Sequence, residues 1–353
     1  MTLEKIAVVA ITKNGINISK NIANTIKFCK IYAPIKFSTK DKKITWYSKS
    51  TSDQIKDLFH KNDALICLFS LGAVIRIIAS QIKSKDTDPA VIAIDDKAKF
   101  VISTLSGHIG GANELTSKLA IILNAIPVIT TASEVNKTIP VDMLGSKFNW
   151  SIESKSLITK ISALMINEEK IGVYQEVGET SWRDKLPKNV TVYQNINTLK
   201  KSKSKAFLVI SDRIIKDEYI LNNSIIYRPR SLVIGIGLHH DTTKETIKNN
   251  LTKCLTMFDL SEKSIAKFAT INKKFNVKGL IELSKEINIG IKYFERNELA
   301  NINVPNPSKI VNKFEKTFSV AEASAILGSH GKLVIEKQKF PPDMTISIAR
   351  IIN

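Results

Sequence analysis

The chain has 353 residues, 52 of them Lys or Arg and 33 Asp or Glu, for a formal charge of +19. At roughly 150 residues per domain this gives two or three domains. The best apolar run, Ala64 to Ile75, closes on Arg76 and falls short of the roughly 18 residues of a membrane span.

Three scattered cysteines, Cys29, Cys67 and Cys254, make neither a disulfide framework nor a CxxC metal pair, so a reducing cytoplasm is expected. The opening MTLEKIAVVAITKNG has no small-residue cleavage site and does not read as a signal peptide. Only seven of the basic residues are Arg, and the lysines are spread among abundant Ile and Asn. Nucleic-acid readers concentrate Arg and aromatic residues in a patch. The densest basic run, Leu199 to Lys205, reads as a solvated loop, so neither nucleic acid nor membrane is expected as a partner. The charge follows codon bias or serves a polycarboxylate or polyphosphate ligand.

Along the chain, Lys5 to Ile11 reads as a strand, Ile18 to Phe28 as a helix, Ile44 to Ser48 as a strand and Ser52 to His60 as a helix. Asp63 to Phe69 is a buried strand, and Ser70 to Ile82 places Gly72 in a turn before a helix that carries Arg76. Arg76 is either a surface residue of a core helix or an arginine facing an anion in a crevice shared by the strand ends. Ala90 to Ile94 makes another strand and Asp95 to Lys97 a hairpin-like turn. Phe100 to Thr104 then runs into Leu105 to Glu114, LSGHIGGANE. Leu115, Leu119, Ile122 and Leu123 mark one face of a helix over Ala112 to Leu123. Ile126 to Thr130 is a strand that ends in polar Thr130 and Thr131. Strands alternating with helices predict a parallel or mostly parallel layer with ligands at the carboxyl ends of its strands. Ser70 to Gly72, Ser106 to Gly111 and Thr130 to Ser133 are such ends.

Asp142 to Glu168 reads as helical. Strand-like pieces at Ile171 to Gln175, Val190 to Gln194, Ala206 to Ile210 and Ile225 to Tyr227 follow among polar linkers, a middle region of connecting character. Leu232 to Gly237 (LVIGIG) is a buried strand. It precedes a helix from Thr243, for which Thr242 and Glu245 have capping-box spacing. Helix Val277 to Ile287, strand Ile289 to Phe294 and a small-residue helix Ser319 to Leu327, with Ser319 and Glu322 again spaced as a capping box, lead to strands Lys332 to Glu336 and Thr345 to Arg350. The expected fold is α/β, with two α/β/α-type units at 1–145 and 231–353 joined by a smaller middle region at 146–230.

Three chemistries are open to the SGHIGG turn. Ser106 beside His108 invites a serine-hydrolase reading, but Thr104 stands where a nucleophile elbow needs glycine. His108 as a metal ligand would need distant His239, His240 and Asp241, with no HExxH to support it. In the third reading, Gly107, Gly110 and Gly111 let backbone N–H groups approach a carboxylate or a developing oxyanion. His108 then serves as acid or base and Asn113 as a positioning amide. The pair Gly235 and Gly237 lacks the third glycine of a dinucleotide fingerprint, because position 240 is His. Glu322 caps its own helix by default, and Lys337 and Lys339 alternate on a strand, solvated or facing an acidic ligand.

DPAVIAIDDKAKFVISTLSGHIGGANELTSKLA followed by IPVITTASEVN, then LVIGIG, NPS at 306–308, SVAEASA at 319–325 and EKQKF at 336–340 carry a likeness. With these segments the chain resembles the cobalt-precorrin-5A hydrolase family of anaerobic cobalamin biosynthesis, CbiG. The resemblance implies a hydrolase that opens the δ-lactone of cobalt-precorrin-5A with water and releases acetaldehyde, giving cobalt-precorrin-5B. The substrate is a polycarboxylate corrinoid, and the cobalt belongs to it, so no cofactor and no protein-bound metal are implied. Contact with neighbouring pathway enzymes is compatible with this role. The expected site is a cleft of the two α/β units, with His108, Ser106 and Asn113 in the chemistry. Gly107, Gly110, Gly111, Gly72, Arg76, Thr130, Thr131, Gly235, Gly237, Lys274, Ser308, Ser319, Glu322 and Lys337 are expected around the substrate.

One segment departs from the family pattern. Many relatives carry Cys-Arg-Arg/Lys-Gly after the GIG, whereas this chain has Leu238, His239, His240 and Asp241, and Val277 stands where an acidic residue usually follows Lys274. The alternative is therefore a corrinoid-binding carrier that keeps the fold without the chemistry.

Overall fold

The structure is a computed structural model that describes residues 3–84, 87–108, 110–131, 138–273, 277–342 and 344–352. It divides into two compact units, Met1–Met143 and Leu144–Asn353. The expected α/β class is what it shows, with three sheets.

In the first unit the apolar runs β1 (Ile6–Ala10), β4 (Ala64–Leu68) and β5 (Ala90–Ile94) are buried at every position. Such strands belong at the centre of a sheet covered on both faces. They are flanked by β2 (Cys29–Pro34), β3 (Ile44–Tyr47), β6 (Phe100–Leu105) and β7 (Ile126–Val128), in the order β3-β2-β1-β4-β5-β6-β7. The alternation of side chains along a strand sends Ile6, Val8 and Ala10 into one core with α1 (Lys13–Thr25) and α4 (Ala112–Leu123). Ala7 and Val9 enter a second core with α2 (Thr51–Phe59) and α3 (Leu71–Ile78). The first helix starts earlier than its periodicity suggests, because the Thr12 hydroxyl accepts from Gly15 N at 2.9 Å and caps it.

The sheet is mostly parallel, as expected, but its one reversal divides the strand ends expected to lie together. β1 to β5 are mutually parallel, but β6 pairs antiparallel with β5, with Val91 opposite Leu105 and Ile94 opposite Val101. β7 then runs parallel to β6. A tight hairpin causes the reversal. Ala98, at φ +51°, donates its N–H to Asp95 O at 2.8 Å, and the Asp95 carboxylate accepts from Phe100 N at 2.6 Å. The carboxyl end of β6 therefore lies on the edge that holds the amino ends of β1, β4 and β5.

The second unit contains two sheets. Residues 144–230 form the order β10-β9-β11-β12-β8 from β8 (Ser151–Ile152), β9 (Ile171–Gln175), β10 (Val190–Tyr193), β11 (Ala206–Ile210) and β12 (Ser224–Arg228). Only Ile158–Ile166 (α5) is α-helical in the stretch read as helix over 142–168. Gly145 and Asn149, both at positive φ, turn the chain there, and Ser151 and Ile152 join the sheet against Arg228 and Tyr227. Residues 231–352 form β15-β14-β13-β17-β16, from β13 (Leu232–Leu238), β14 (Ile265–Ile271), β15 (Ile291–Phe294), β16 (Lys332–Phe340) and β17 (Met344–Arg350). The first three of these are parallel, and β17 and β16 run as an antiparallel pair beside β13.

On one face of this last sheet Ile234 and Ile236 pack with Ile247 and Leu251 of the helix Lys244–Met257, and with Leu280 and Leu283 of the helix Lys278–Glu286. On the other lies the small-residue helix Val320–Ser329. It sits so close that a Cβ on Gly235 would fall 2.0 Å from Ala321 O. Arg350, at the end of β17, ties this sheet to its neighbour. Its guanidinium donates to both oxygens of fully buried Asp212 at 2.7 and 2.8 Å and to Glu176 at 3.0 Å.

Candidate functional site

In the first unit the segment after β6 is a compact turn in which each glycine has its own steric reason. Ser106 takes φ +56° and donates its hydroxyl to Asp88 O at 2.9 Å. A Cβ on Gly110 would lie 2.4 Å from the Cβ of Ser106, and one on Gly107 would lie 2.7 Å from Asn113 Oδ1. Gly111, at φ +82°, holds the left-handed conformation that favours glycine. The turn spends part of its own donor capacity: Gly111 N donates to His108 O, Ala112 N to Ser106 O and Asn113 N to Gly107 O, at 3.0 to 3.2 Å. The N–H groups of Gly107 and Gly110 donate to no acceptor among the described residues.

Asn113 is buried and hydrogen-bonded through both its amide oxygen and its amide nitrogen. Its Oδ1 accepts from Ser103 at 2.7 Å and its Nδ2 donates to Thr131 Oγ1 at 3.0 Å. It thus fastens the end of β6, the turn and the segment after β7 to one another. Thr130, the next residue back, is exposed.

The reversal at Asp95 separates residues that a fully parallel sheet would have gathered. The turn with Ser106, Gly107, His108, Gly110 and Gly111 shares its edge with Thr130 and Thr131. Gly72 and Arg76 follow the carboxyl end of β4 and lie on the opposite edge. Arg76 is exposed there and donates to Gly72 O at 3.2 Å, within its own helix. On the edge of the SGHIGG turn a cavity of about 510 Å³ is lined by Lys5, Phe28, Lys30 and Lys61.

In the second unit a larger cavity, of about 620 Å³, opens at the carboxyl ends of β13 and β14. It gathers Gly237, Ser308, Ser319 and Lys337 from the residues expected around a substrate. Gly235 lies beneath the helix Val320–Ser329 instead, where its lack of a side chain permits the close approach. Lys274 is outside the described residues, and its neighbour Lys273 lines the cavity, paired with Glu315 at 2.8 Å. Ile310 and Phe314 complete one wall. They are not among the residues expected at the site, although two apolar residues four apart in the polar stretch KIVNKFE are a helix-face signal.

Glu322 does not complete a capping box. Ser319 Oγ does accept from Glu322 N at 3.3 Å, but the carboxylate turns elsewhere. It accepts from the Asn306 side-chain amide at 2.8 Å, Asn306 N at 3.3 Å and Lys337 N at 3.2 Å, and it is completely buried. It therefore lies behind the cavity wall and braces it. Lys337 Nζ donates to Asn306 O and lies 4.0 Å from Glu322. Burial pulls the Lys337 ammonium below its usual pKa, against the attraction of Glu322. The other expected box also differs. Thr243, not Thr242, is the cap, accepting from Thr246 N at 3.2 Å, while Thr242 donates to His239 O.

The three thiols are poor nucleophiles. Burial pushes Cys67 up to about 12, and Cys29 and Cys254 up to about 11, so each stays protonated at neutral pH. Among the described residues no group of three or more His, Cys, Asp or Glu side chains forms a metal cage. The turn in the first unit can supply two N–H donors and an imidazole, and the cavity in the second can supply cations around an apolar wall.

The chain matches three family models in series: cobalamin synthesis G N-terminal over residues 53–134, cobalamin biosynthesis central region over 139–229, and cobalamin synthesis G C-terminus over 232–349. A Priestia megaterium protein named cobalt-precorrin-5A hydrolase is 41% identical, over 98% of this chain and 94% of its own. A Salmonella typhimurium protein of the same name is 27% identical, over 94% of each chain. Among solved structures, CobE, a protein from the cobalamin (vitamin B12) biosynthetic pathway, covers 35% of this chain and 92% of its own at 22% identity, with a TM-score of 0.33.

Proposed function

Because the chain belongs to the cobalamin synthesis G family, we propose that it is a cobalt-precorrin-5A hydrolase, opening the δ-lactone with water and releasing acetaldehyde to give cobalt-precorrin-5B. The observation that carries the reading is the 41% identity to a protein of that name across 98% of the chain. The cobalt arrives with the substrate, and the protein's own part is acid–base chemistry and the stabilisation of charge.

The SGHIGG turn is the part of the first unit suited to that chemistry. As water attacks the lactone carbonyl, the N–H groups of Gly107 and Gly110 donate to the oxygen that gains negative charge. Losing one such donor typically costs about 2.7 to 4 kcal/mol in the barrier. His108 accepts the proton of the attacking water and returns it to the departing ring oxygen; the hydroxyl so formed then gives up its proton as the carbon–carbon bond to the macrocycle breaks, the ring carbon takes a proton, and acetaldehyde leaves. Ser106 and Asn113 hold the turn through Asp88, Ser103 and Thr131 and act by position. The unpaired cysteines suit a reducing cytoplasm, and among the described residues no helix is long and apolar enough to cross a membrane.

The test is acetaldehyde release from cobalt-precorrin-5A. Wild-type protein is expected to release it in step with loss of the substrate, and His108→Ala to release it at least about a hundredfold more slowly. Binding of the intermediate without acetaldehyde would replace the hydrolase reading with that of a corrinoid carrier. Turnover by His108→Ala at the wild-type rate would remove the proton-transfer role alone.

A further inference from the structure

The 620 Å³ cavity of the second unit has a composition that an anion site alone does not need. Its floor is Gly237, Leu238 and Ile271, at the carboxyl ends of β13 and β14. One wall is the helix Lys309–Glu315, which turns Ile310 and Phe314 outward, one helical turn apart and 72% and 71% exposed. Two large apolar side chains thus share one exposed face. Lys337 and Lys339 on β16 and Lys273 after β14 also line the cavity; Lys273 is paired with Glu315 at 2.8 Å and Lys337 Nζ donates to Asn306 O.

This arrangement discriminates between classes of ligand. A single phosphate or a small carboxylate has no use for an aromatic wall or for this volume, which lies within the roughly 300 to 1,000 Å³ of pockets for drug-sized ligands. A nucleotide would call for a cluster of donors on one loop to hold its phosphate chain. Here Lys337 and Lys339 stand two positions apart on β16 and Lys273, paired with Glu315, follows β14, so the cations come from different elements around an apolar surface and not from one loop. That spacing fits a broad, flat ring system with carboxylates distributed along its rim.

We infer that this cavity seats a corrinoid macrocycle, with Ile310 and Phe314 against the face of the ring and Lys273, Lys337 and Lys339 at its peripheral carboxylates. The identity of the ring rests on the hydrolase reading. The site and its residues rest on the cavity.

Cobyrinic acid is a suitable probe, because it is a cobalt-containing polycarboxylate corrinoid without the lactone, and its binding is measured by calorimetry. The double variant Ile310→Ser, Phe314→Ser is expected to bind at least about tenfold more weakly than wild type, as the loss of apolar contact predicts. Both side chains are exposed, so the fold is retained and the thermal unfolding midpoint of the variant stays at the wild-type value. Phe314→Trp is expected to keep the affinity and to lose indole fluorescence on binding, by energy transfer to the corrinoid chromophore. Lys339→Ala is expected to weaken binding and to flatten its dependence on salt.

Wild-type affinity in the double variant, or no binding of cobyrinic acid by the wild-type protein, would overturn the inference. The hydrolase reading is judged separately by acetaldehyde release. A protein that binds cobyrinic acid through Phe314 yet releases no acetaldehyde keeps the site and loses the activity. One that turns over with an unchanged KM in the double variant keeps the activity and loses the site.

Discussion

Glu322 and Asn306 meet at 2.8 Å, the carboxylate of one on the side-chain amide of the other, and this contact binds the NPS loop to the helix behind it. The same carboxylate accepts two backbone N–H groups, from Asn306 and Lys337, and has no contact with solvent. Glu322→Ala leaves Asn306 N and Lys337 N without an acceptor and takes the opposite charge from beside the nearly buried Lys337 ammonium, which keeps only Asn306 O, and removing one partner from a buried charged cluster costs about 3 to 5 kcal/mol. The urea midpoint is expected to fall accordingly. Glu322→Gln is expected to rescue it poorly, because its –NH2 would face donors.

Asn113 presents the same situation in the first unit with neutral partners. Asn113→Ala takes this partner from the half-buried Ser103 and Thr131 hydroxyls, a loss toward the lower end of the about 1 to 3 kcal/mol of a fully buried unmet group. Asn113→Asp can still accept from Ser103 but can no longer donate to Thr131. Both variants are expected to lower the melting temperature, and both should reduce acetaldehyde release by more than the folded fraction alone accounts for, since the turn that holds His108 is loosened.

Two glycines make a controlled pair. A Cβ on Gly110 would lie 2.4 Å from the Cβ of Ser106 and 2.8 Å from its carbonyl oxygen, whereas a Cβ on Gly290 meets nothing within 4 Å. Gly110→Ala is expected to cost about 1 to 3 kcal/mol through overpacking and to depress kcat by displacing an N–H donor. Gly290→Ala is expected to leave both stability and turnover near wild type, by thermal unfolding and steady-state kinetics.

The clamp around Arg350 makes stability depend on pH. Burial would raise the Glu176 carboxyl, but the Ser211 hydroxyl and the Arg350 and Arg213 guanidiniums outweigh it and hold the group below its ordinary 4.5. A carboxylate more acidic in the folded than in the unfolded chain contributes stability that is complete above the unfolded value and is lost as pH falls through the folded one. Arg350→Met removes the main cation, so the stability gap between variant and wild type is expected to narrow between about pH 5 and pH 3. Urea titrations across that range measure it. An unchanged gap would mean that Glu176 takes no part.

Much of the fold is legible in the sequence because its central strands are unbroken apolar runs. Ala90–Ile94 and Ala206–Ile210 have the bounds that their composition predicts. β2, with the sequence CKIYAP, does not read as a strand because its exposed lysine and its proline dilute the strand pattern. The direction of β6 is hard to read for another reason. The Asp95–Lys97 turn is readable as a hairpin, but alternation of strands and helices on both sides suggests a parallel sheet. Direction is a non-local property that one turn decides. In the candidate site, glycine and small polar residues announced the SGHIGG turn. Residues acting through tertiary contacts gave no local sign: Glu322 looks like a helix cap, and its partner Asn306 lies 16 positions away in the chain.

The hairpin at Asp95 also sets how the first unit can vary. β6, α4 and β7 form a strand–helix–strand cassette that contains Ser106, Asn113 and Thr131 and is internally cross-linked through Asn113. The orientation of that cassette depends on the parity of chain reversals before it, not on the identity of β1 to β4. Insertions in the earlier loops leave the cassette facing the same rim. Replacing the short turn by a crossover would carry Ser106, His108 and Thr131 together to the rim now occupied by Gly72 and Arg76.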